Sequence, residues 1–228
     1  MIETVFFDVG GTLLHPDLER MLEPLLRRCR PTPAQLAEAD RASRHSIPPR
    51  AAMAPAPTRT NKGHWSFYFE RLLEQLDGCQ DLLGELVARA ADSSYWSLLD
   101  PAAIPTLDRL RRQYRLAIIS NADGQIGRIL EQAGIRRLFE QVTDSGCVGC
   151  EKPDPRIFAA ALDSMQARPE TSLYVGDIYG IDYCGATAAG MRAVLLDPAG
   201  VYRGWPAPAI AGLADLPAWI EALAPVGA

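Results

Sequence analysis

The sequence predicts an α/β fold, in which a parallel sheet carries helices on both faces and a small helical cap domain is added. Two observations point to it. From residue 104 onwards, amphipathic stretches alternate with short apolar runs, as helices and strands do in such sheets. Between Thr12 and about Asp100 this alternation is absent and only helical patterns occur. At 228 residues, we expect one core domain with a smaller insertion.

The strands of the predicted sheet are short apolar runs. The first, Val5–Phe7, ends directly before Asp8. The later runs are Arg115–Ile119, Gln141–Thr143, Ser172–Val175 and Arg192–Leu196. In parallel sheets the ligand binds beyond the carboxyl ends of the strands. The residues that directly follow these runs are therefore the first candidates for a functional site.

Amphipathic stretches supply the predicted helices. Those of the core are Ile104–Gln113, Gly124–Ala133, Pro155–Met165, Ile181–Ala189 and Leu216–Leu223. Those of the cap are Leu18–Arg28, Pro33–Arg44, Trp65–Leu76 and Asp81–Ala91. Residues 47–58 contain four prolines, which disfavour regular structure, so we expect an exposed linker there, with a mobile lid as the alternative. The expected division is a core of residues 1–14 and 101–228 and a cap of residues 15–100.

The composition is that of an ordinary globular protein, with 48% hydrophobic residues, 22% charged residues and a net charge of -5. It indicates no broad nucleic-acid-binding surface, because such surfaces are basic. Glu3 and Asp8 interrupt the apolar N-terminus, so neither a signal peptide nor a membrane span is expected. The five cysteines are odd in number and scattered, which argues against a disulfide framework and favours a cytoplasmic protein. Cys147 and Cys150 supply only two of the ligands that a zinc site needs.

Four short motifs carry the chemistry. They are FFDVGGT at residues 6–12, IISN at 118–121, KPDP at 152–155 and VGDIYGID at 175–182. In this order, across nearly the whole chain, they resemble the haloacid dehalogenase superfamily of hydrolases. The resemblance implies a Rossmann-like core with a helical cap inserted after the first strand. It also implies a magnesium-dependent phosphohydrolase that acts through an aspartyl-phosphate intermediate.

Each motif supplies residue types that suit phosphoryl transfer. At the end of a buried strand, Asp8 is placed to be a nucleophile that divides hydrolysis into two easier steps, and the resemblance implies this role. Ser120 and the amides after it would hold phosphate oxygens near a helix N-terminus, which favours anions. Lys152 would neutralise charge on the phosphate and on Asp8.

The carboxylates of the first and fourth motifs suit a hard cation, which prefers oxygen ligands. The resemblance implies that Mg²⁺ is held by Asp8, Asp177 and the main-chain carbonyl of Gly10. Asp182 would act through water or by orienting Lys152. Further residues expected to contact the substrate are Gly11, Thr12, Asn121 and His15. Gly11 would let the backbone turn tightly beside the ligand, while the Thr12 hydroxyl would serve either the phosphate or the loop itself.

Gly10 departs from the family pattern. Most phosphatases of the family have a second aspartate at this position, which protonates the leaving group and later activates water. Such general acid–base catalysis is worth about 10²- to 10⁴-fold. His15 is the nearest titratable substitute, because an imidazole ordinarily titrates near neutral pH. The alternative is that its imidazole packs or hydrogen-bonds at the cap hinge.

Other functions stay open at this point. Haloacid dehalogenases and phosphonoacetaldehyde hydrolases also lack that second aspartate. The dehalogenases usually have serine and asparagine in place of Gly176 and Asp177, whereas the phosphonate enzymes need a cap lysine, for which only Lys62 is available. A catalytically weakened regulator that uses the cap as a partner surface is a third alternative. As an enzyme, the chain should act on a small phosphorylated molecule, without nucleic acid or membrane partners, as a monomer or homodimer.

Overall fold

The computed structural model of the chain describes residues 1–46, 62–76 and 78–223. For residues 44–46 and 62–64 it describes the backbone alone. Its strands are β1 (Thr4–Phe7), β2 (Leu14–Pro16), β3 (Trp96–Leu99), β4 (Arg115–Ser120), β5 (Gln141–Asp144), β6 (Ser172–Gly176), β7 (Arg192–Leu196) and β8 (Ala209–Ile210). Six of them form one sheet in the order β5-β4-β1-β6-β7-β8, and every neighbouring pair is parallel. The predicted fold class is therefore confirmed. We had not predicted β8, since a strand of two residues has no periodicity to detect.

The helices are α1 (Leu18–Met21), α2 (Glu23–Cys29), α3 (Pro33–Ser46), α4 (Lys62–Glu74), α5 (Leu83–Ala91), α6 (Ala103–Leu110), α7 (Ile126–Gln132), α8 (Ser145–Val148), α9 (Pro155–Met165), α10 (Cys184–Ala188) and α11 (Leu216–Ala222). A single turn of π-helix, Tyr179–Tyr183, leads directly into α10. All the predicted helical stretches contain helix, with boundaries that differ by a few residues. The short helix α8 was not predicted.

Helices cover both faces of the sheet. Alternate residues of a strand point to opposite faces, so Phe7 packs with residues of α6, α7 and α11, whereas Phe6 packs with residues of α9 and α10. All four residues of β1 are buried. This two-sided burial explains why the strands appear in the sequence as continuous apolar runs rather than as alternating patterns.

Helices α1 to α5 form a separate hydrophobic cluster around buried residues such as Leu25, Phe69, Leu72 and Leu86. The chain passes between this cluster and the sheet through an antiparallel ribbon of β2 and β3. The ribbon was not predicted, because strands this short show no alternation. The linker expected at residues 47–58 lies outside the described residues. So does the side chain of Lys62, the cap lysine that a phosphonate hydrolase would need.

One disulfide joins Cys29, the last residue of α2, to Cys79, in the loop that precedes α5. This single pair departs from our expectation that the scattered cysteines form no disulfide framework. The two residues are 50 positions apart, and only the packing of the helices brings their Cα atoms to 6.5 Å. Cys147 and Cys150 are both free thiols. No helix among the described residues is long and apolar enough to cross a membrane.

Candidate active site

The candidate site lies where the three central strands of the sheet end. Strand β1 lies between β4 and β6, so Asp8, Ser120 and Asp177 come to one edge. The chain builds outwards from β1 to β4 and β5, and then returns to β6 on the other side of β1. Such a reversal leaves a crevice at the carboxyl ends of the strands, which is the usual position of a ligand in open parallel sheets. Asp8 is fixed there by its own amide, which donates to the Val175 carbonyl at 2.8 Å.

A buried lysine lies at the centre of the site. The side chain of Lys152 is only 2% exposed, and its ammonium contacts Asp8 Oδ1 at 2.6 Å, Tyr174 Oη at 2.7 Å and Asp182 Oδ1 at 2.8 Å. An ammonium has three N–H donors, so these three acceptors use all of them. A charge buried in this way needs both ionic partners and hydrogen bonds, and here it has both.

Tyr174 is a member of this site that sequence reasoning missed. Its phenol oxygen accepts from Lys152 and lies 3.0 Å from the Ile119 carbonyl and 3.2 Å from Asp182 Oδ1. The tyrosine belongs to β6 and its side chain is fully buried. A phenol inside an otherwise apolar strand was the available signal, because a buried hydroxyl requires partners.

The charges of the network shift one another's acidity. Burial raises the pKa of Asp8 to about 6, Lys152 opposes this shift, and the carboxylate of Asp182 adds to it. Burial tends to lower the pKa of Lys152, but Asp182 and Asp8 outweigh it and hold that pKa above its usual value. Burial and the neighbouring carboxylates raise the pKa of Tyr174 well above its ordinary value. Lys152 is therefore a permanent cation here, and Tyr174 a neutral phenol.

Three carboxylates could hold a metal ion at this edge. Asp8, Asp177 and Asp182 each offer an oxygen within 4.8 Å of the others. Asp182 is the least available of the three, because its Oδ1 contacts Lys152 and Tyr174 while its Oδ2 accepts the amides of Asp177 and Ile178. Asp182 thus contacts Lys152, and its expected role in orienting that lysine stays a prediction. The carboxylate set fits a hard divalent cation.

Gly11 is required at its position for two reasons. Its φ of 79° lies in the left-handed region, and a Cβ there would lie 2.2 Å from Asp177 Oδ2. The tight turn, closed by the bond from the Gly11 amide to the Leu14 carbonyl, thus brings backbone against the candidate metal ligand. Gly10 lines the cavity that lies at Asp8, whereas Gly11 lines a neighbouring one. That the Gly10 carbonyl binds the cation stays a prediction.

The second motif has a different geometry from the one expected. Ser120, at the end of β4, lines the cavity, but the loop 121–125 separates it from α7. The first amide of that helix, of Ile126, donates to Asp144 Oδ2 at 3.1 Å and so is not offered to an anion. That Ser120 and the amides directly after it hold phosphate oxygens stays a prediction, but the amide of Ile126 takes no part in it. The reason is that Asp144, two strands from Asp8, caps α7.

The side chain of Asn121 positions Lys152. Its Oδ1 accepts the Lys152 amide at 2.7 Å, and its Nδ2 donates to the Lys152 carbonyl at 2.9 Å. Asn121 also lines the cavity at Asp8, and its expected contact with the substrate stays a prediction. Its main contribution here is to hold the loop that carries the lysine.

Two residues expected to contact the substrate lie away from Asp8. Thr12 is fully buried and borders neither cavity, because the turn at Gly11 directs it into the protein, so its expected contact with the phosphate is corrected. His15 lies in β2, where its Nε2 is 3.0 Å from Asp100 Oδ2. It lines a neighbouring cavity but not the one at Asp8. The structure thus favours the hinge alternative for His15.

Two adjoining cavities lie between the sheet and the cap helices. The one at Asp8 measures about 70 Å³ and the neighbouring one about 300 Å³. Both are lined by Trp65 and Trp96, whose rings are 5.4 Å apart. Sequence reasoning missed Trp96, since nothing in its local pattern separates it from a core residue. Ser93 also lines the cavity at Asp8, and its Oγ donates to Asp123 Oδ1 at 2.7 Å and so links the cap hinge to the loop after β4.

Comparison with known proteins adds sequence relatives to this geometry. A family model described as haloacid dehalogenase-like hydrolase matches residues 2–190. The haloacid dehalogenase-like hydrolase domain-containing protein 3 of Bos taurus is 40% identical over 112 residues, which are 46% of this chain and 45% of that protein. A glyceraldehyde 3-phosphate phosphatase of Methanothermobacter thermautotrophicus is 41% identical over 92 residues, 40% of this chain and 41% of that protein. The matched part thus spans less than half the length of either relative.

A solved structure shows the same fold over its whole length. The crystal structure of YfnB from Bacillus subtilis, bound to magnesium, superimposes with a TM-score of 0.70. The match covers 96% of this chain and 99% of that one at 21% sequence identity. At such an identity the similarity concerns the fold alone.

Proposed function

The chain belongs to the haloacid dehalogenase-like hydrolases, and from this membership we propose that it is a magnesium-dependent phosphohydrolase of a small phosphorylated metabolite. The observation that carries the proposal is the buried contact between Lys152 and Asp8 at the cavity that Asp177 also lines. A phosphatase among the partial relatives supports this choice of reaction.

The proposed reaction uses Asp8 as the nucleophile. A carboxylate oxygen of Asp8 forms a bond to phosphorus while the bond from phosphorus to the leaving oxygen breaks, and that oxygen keeps the electron pair. The leaving oxygen then takes a proton from solvent. Water next attacks the phosphorus of the aspartyl-phosphate, which releases inorganic phosphate and restores Asp8. Lys152 and Asp182 hold the attacking carboxylate in place through the contacts described above.

The carboxylates of Asp8 and Asp177, together with the Gly10 carbonyl, would hold Mg²⁺. Bound there, the cation supplies positive charge to the phosphoryl oxygens and orients them. Because Lys152 already donates all its hydrogens within the protein, neutralisation of a dianionic phosphate calls for such a second cation.

No general acid stands out among the described residues of the site. Among the described residues that line the cavity at Asp8, the side chains able to carry charge are Asp8, Lys152, Asp177 and Asp182, and each has a role in the network or in metal binding. We therefore propose that the enzyme favours good leaving groups, such as aryl or acyl phosphates, over alkyl phosphates. Dephosphorylation would also lack a base, so aspartyl-phosphate should accumulate and appear as a burst before slow turnover.

The proposal is tested by assaying a panel of phosphorylated metabolites with Mg²⁺, alongside a haloacid and a phosphonate. Phosphate release is expected from at least one phosphate ester. Asp8→Asn should abolish that activity and keep the fold, because the amide is nearly isosteric with the carboxylate but not nucleophilic. Asp163→Asn, which changes an exposed carboxylate of α9, is the matched control and should have wild-type activity. Residual activity of Asp8→Asn within tenfold of wild type would overturn the assignment.

The absence of a second acid at Gly10 favours one other candidate, a catalytically weakened protein that retains the metal site and binds a phosphorylated ligand. It differs from the enzyme in a measurable way. Such a protein would bind Mg²⁺ and a phosphate ester with no release of inorganic phosphate beyond one equivalent per chain.

A further inference from the structure

Trp96 fills the space that a side chain at position 10 would enter. A Cβ added to Gly10 would lie 3.2 Å from Trp96 Cε3 and 3.3 Å from Cζ3, closer than ordinary van der Waals contact. The φ of Gly10 is not in the left-handed region, unlike that of Gly11. The indole, and not the backbone conformation, therefore crowds this position, and a side chain here would require the ring to shift by a few tenths of an ångström.

Contacts from the cap side hold the indole in this place. Its Nε1 donates to the Ala90 carbonyl at 3.0 Å, and its ring lies 5.4 Å from that of Trp65 at an angle of 47°. The Trp96 backbone belongs to β3, which pairs with β2 next to the loop that carries Gly10. Trp96 is thus fixed by both the ribbon and the cap helices.

The tryptophan pair also stands where the two cavities meet. Their shared lining residues are Trp65, Trp96, Asp177 and Ile178. The cavity at Asp8 is small, at about 70 Å³, whereas the neighbouring one, at about 300 Å³, has room for the rest of a substrate. A group attached to a phosphate at Asp8 and extending into the larger cavity would pass beside these two indoles.

We propose that Trp96, together with Trp65, is the specificity-determining wall of the leaving-group pocket and that the site takes phosphate monoesters of planar aromatic alcohols. The inference rests on the phosphohydrolase function proposed above. Aromatic rings bind favourably against one another in offset or edge-on arrangements. An aryl oxygen leaves with the electron pair of its bond to phosphorus, and needs no proton at that moment. The indole of Trp96 and the lack of a general acid at Gly10 thus both favour aryl phosphates.

Binding of two phosphonates separates this inference from turnover, because a phosphonate has no ester bond to break. The probes are phenylphosphonate and cyclohexylphosphonate, similar in size but different in planarity, titrated calorimetrically into the wild-type protein with Mg²⁺. We expect phenylphosphonate to bind about fivefold more tightly, with the preference lost in Trp96→Leu. Trp219→Leu is the matched control, since Trp219 is also half-buried but lies in α11, away from both cavities, and it should retain the preference.

Each outcome decides the matter. Equal affinities for the two phosphonates in the wild type, or no binding of either, would overturn the inference. If Trp96→Leu does not fold, Trp96→Phe is used in its place and should keep the preference for phenylphosphonate, because a planar ring remains. Loss of the preference in Trp96→Phe would contradict the role proposed for Trp96. A preference for phenylphosphonate, with no hydrolysis of phenyl phosphate or of any phosphate ester in the panel, would support the wall and refute the phosphohydrolase function. Hydrolysis of a phosphate ester that depends on Asp8, together with equal binding of the two phosphonates, would support the phosphohydrolase function and refute the wall.

Discussion

At the scale of single residues, the acidity of Asp8 is set by the conflict between burial and its partners. Burial raises the pKa of this carboxyl to about 6, even though Lys152 lies 2.6 Å away. A carboxyl that is protonated below that pH must release its proton before it can bind a cation. Metal binding should therefore become weaker as the pH falls through about 6.

This predicts that the Mg²⁺ affinity of the wild type falls by about fourfold from about pH 7.5 to about pH 5.5. Calorimetry in two buffers of different ionisation enthalpy would measure both the affinity and the proton released. Asp8→Asn has nothing to deprotonate at this position, so its affinity should be lower and should change little over the same range. A wild-type affinity that does not depend on pH would exclude Asp8 as a ligand.

The contact between Gly10 and Trp96 predicts a dependence between two substitutions. Gly10→Asp alone should not raise the turnover of an alkyl phosphate, because its Cβ would lie 3.2 Å from the indole. In the double variant Gly10→Asp, Trp96→Leu, the smaller leucine makes room for the new carboxylate. Its turnover of the alkyl phosphate should exceed that of Trp96→Leu alone by about tenfold or more, which is part of the gain that general acid–base catalysis supplies. Steady-state rates with a primary alkyl phosphate measure both. A full gain in Gly10→Asp alone would show that the indole does not obstruct the acid.

At the scale of elements, the loop from β1 to β2 is shaped by Gly11. The loop needs a left-handed residue there, and it needs one without a side chain because Asp177 lies against it. Both the conformation of this loop and the position of the Asp177 carboxylate therefore depend on Gly11.

Gly11→Ala is expected to lower kcat/KM by about 10²-fold or more and to weaken Mg²⁺ binding, since its Cβ would displace the Asp177 carboxylate. Gly134→Ala is the matched control. Gly134 has a similar φ of 73° but nothing within 4 Å of its added Cβ, so this variant should lose stability from strain while its activity is retained. Equal loss of activity in the two variants would mean that strain, and not Asp177, is responsible.

The ribbon of β2 and β3 supports the crossing between the cap helices and the sheet. His15 pairs with Asp100 across it, and Asp100 also accepts the Ala102 amide at 2.8 Å. His15 is half-buried and the pair is partly exposed to solvent, so its contribution to stability is modest, at about 1 kcal/mol or less.

His15→Ala should therefore change kcat/KM by no more than about threefold, because the imidazole does not line the cavity at Asp8. Its pH–rate profile should match that of the wild type. A loss of about 10²-fold, together with the loss of an ionisation near neutral pH, would instead establish His15 as the missing acid.

At the scale of the whole molecule, the order of the strands creates the site. Because β1 lies between β4 and β6, three chemically active loops meet although they are far apart in sequence. The cap closes the crevice from the other side through Trp65, Trp96 and Ser93. Ser93 is tied to the core by its bonds to Asp123.

Ligands that bind only this assembled site should stabilise the whole fold. Mg²⁺ with inorganic phosphate, at 100 times the dissociation constant, would add about 2.7 kcal/mol. For a chain of this size we expect a rise in Tm of roughly 5 to 10 °C in the wild type, measured by calorimetry or dye binding. Asp177→Ala should show little rise. An equal rise in that variant would place the ligands elsewhere.

Most elements of the sheet could be predicted from the sequence because their signals are local. A buried strand is a short apolar run, and a surface helix repeats its apolar residues every three or four positions. The same reasoning placed Asp8, Ser120 and Asp177 at one edge, since parallel strands all end on the same side. The strands β2, β3 and β8 were not predicted, because they are too short to show an alternation of apolar and polar residues.

The sequence by itself determined the α/β class, the succession of the main strands and helices along the chain, and the shared sheet edge of Asp8, Ser120 and Asp177. Each depends on residues adjacent along the chain or on the geometry common to parallel sheets. Only the tertiary structure decided that Tyr174 holds Lys152, that Thr12 and His15 lie away from Asp8, and that Trp96 takes the space at Gly10. These facts depend on where side chains from distant segments point once packed, and no local pattern encodes that direction.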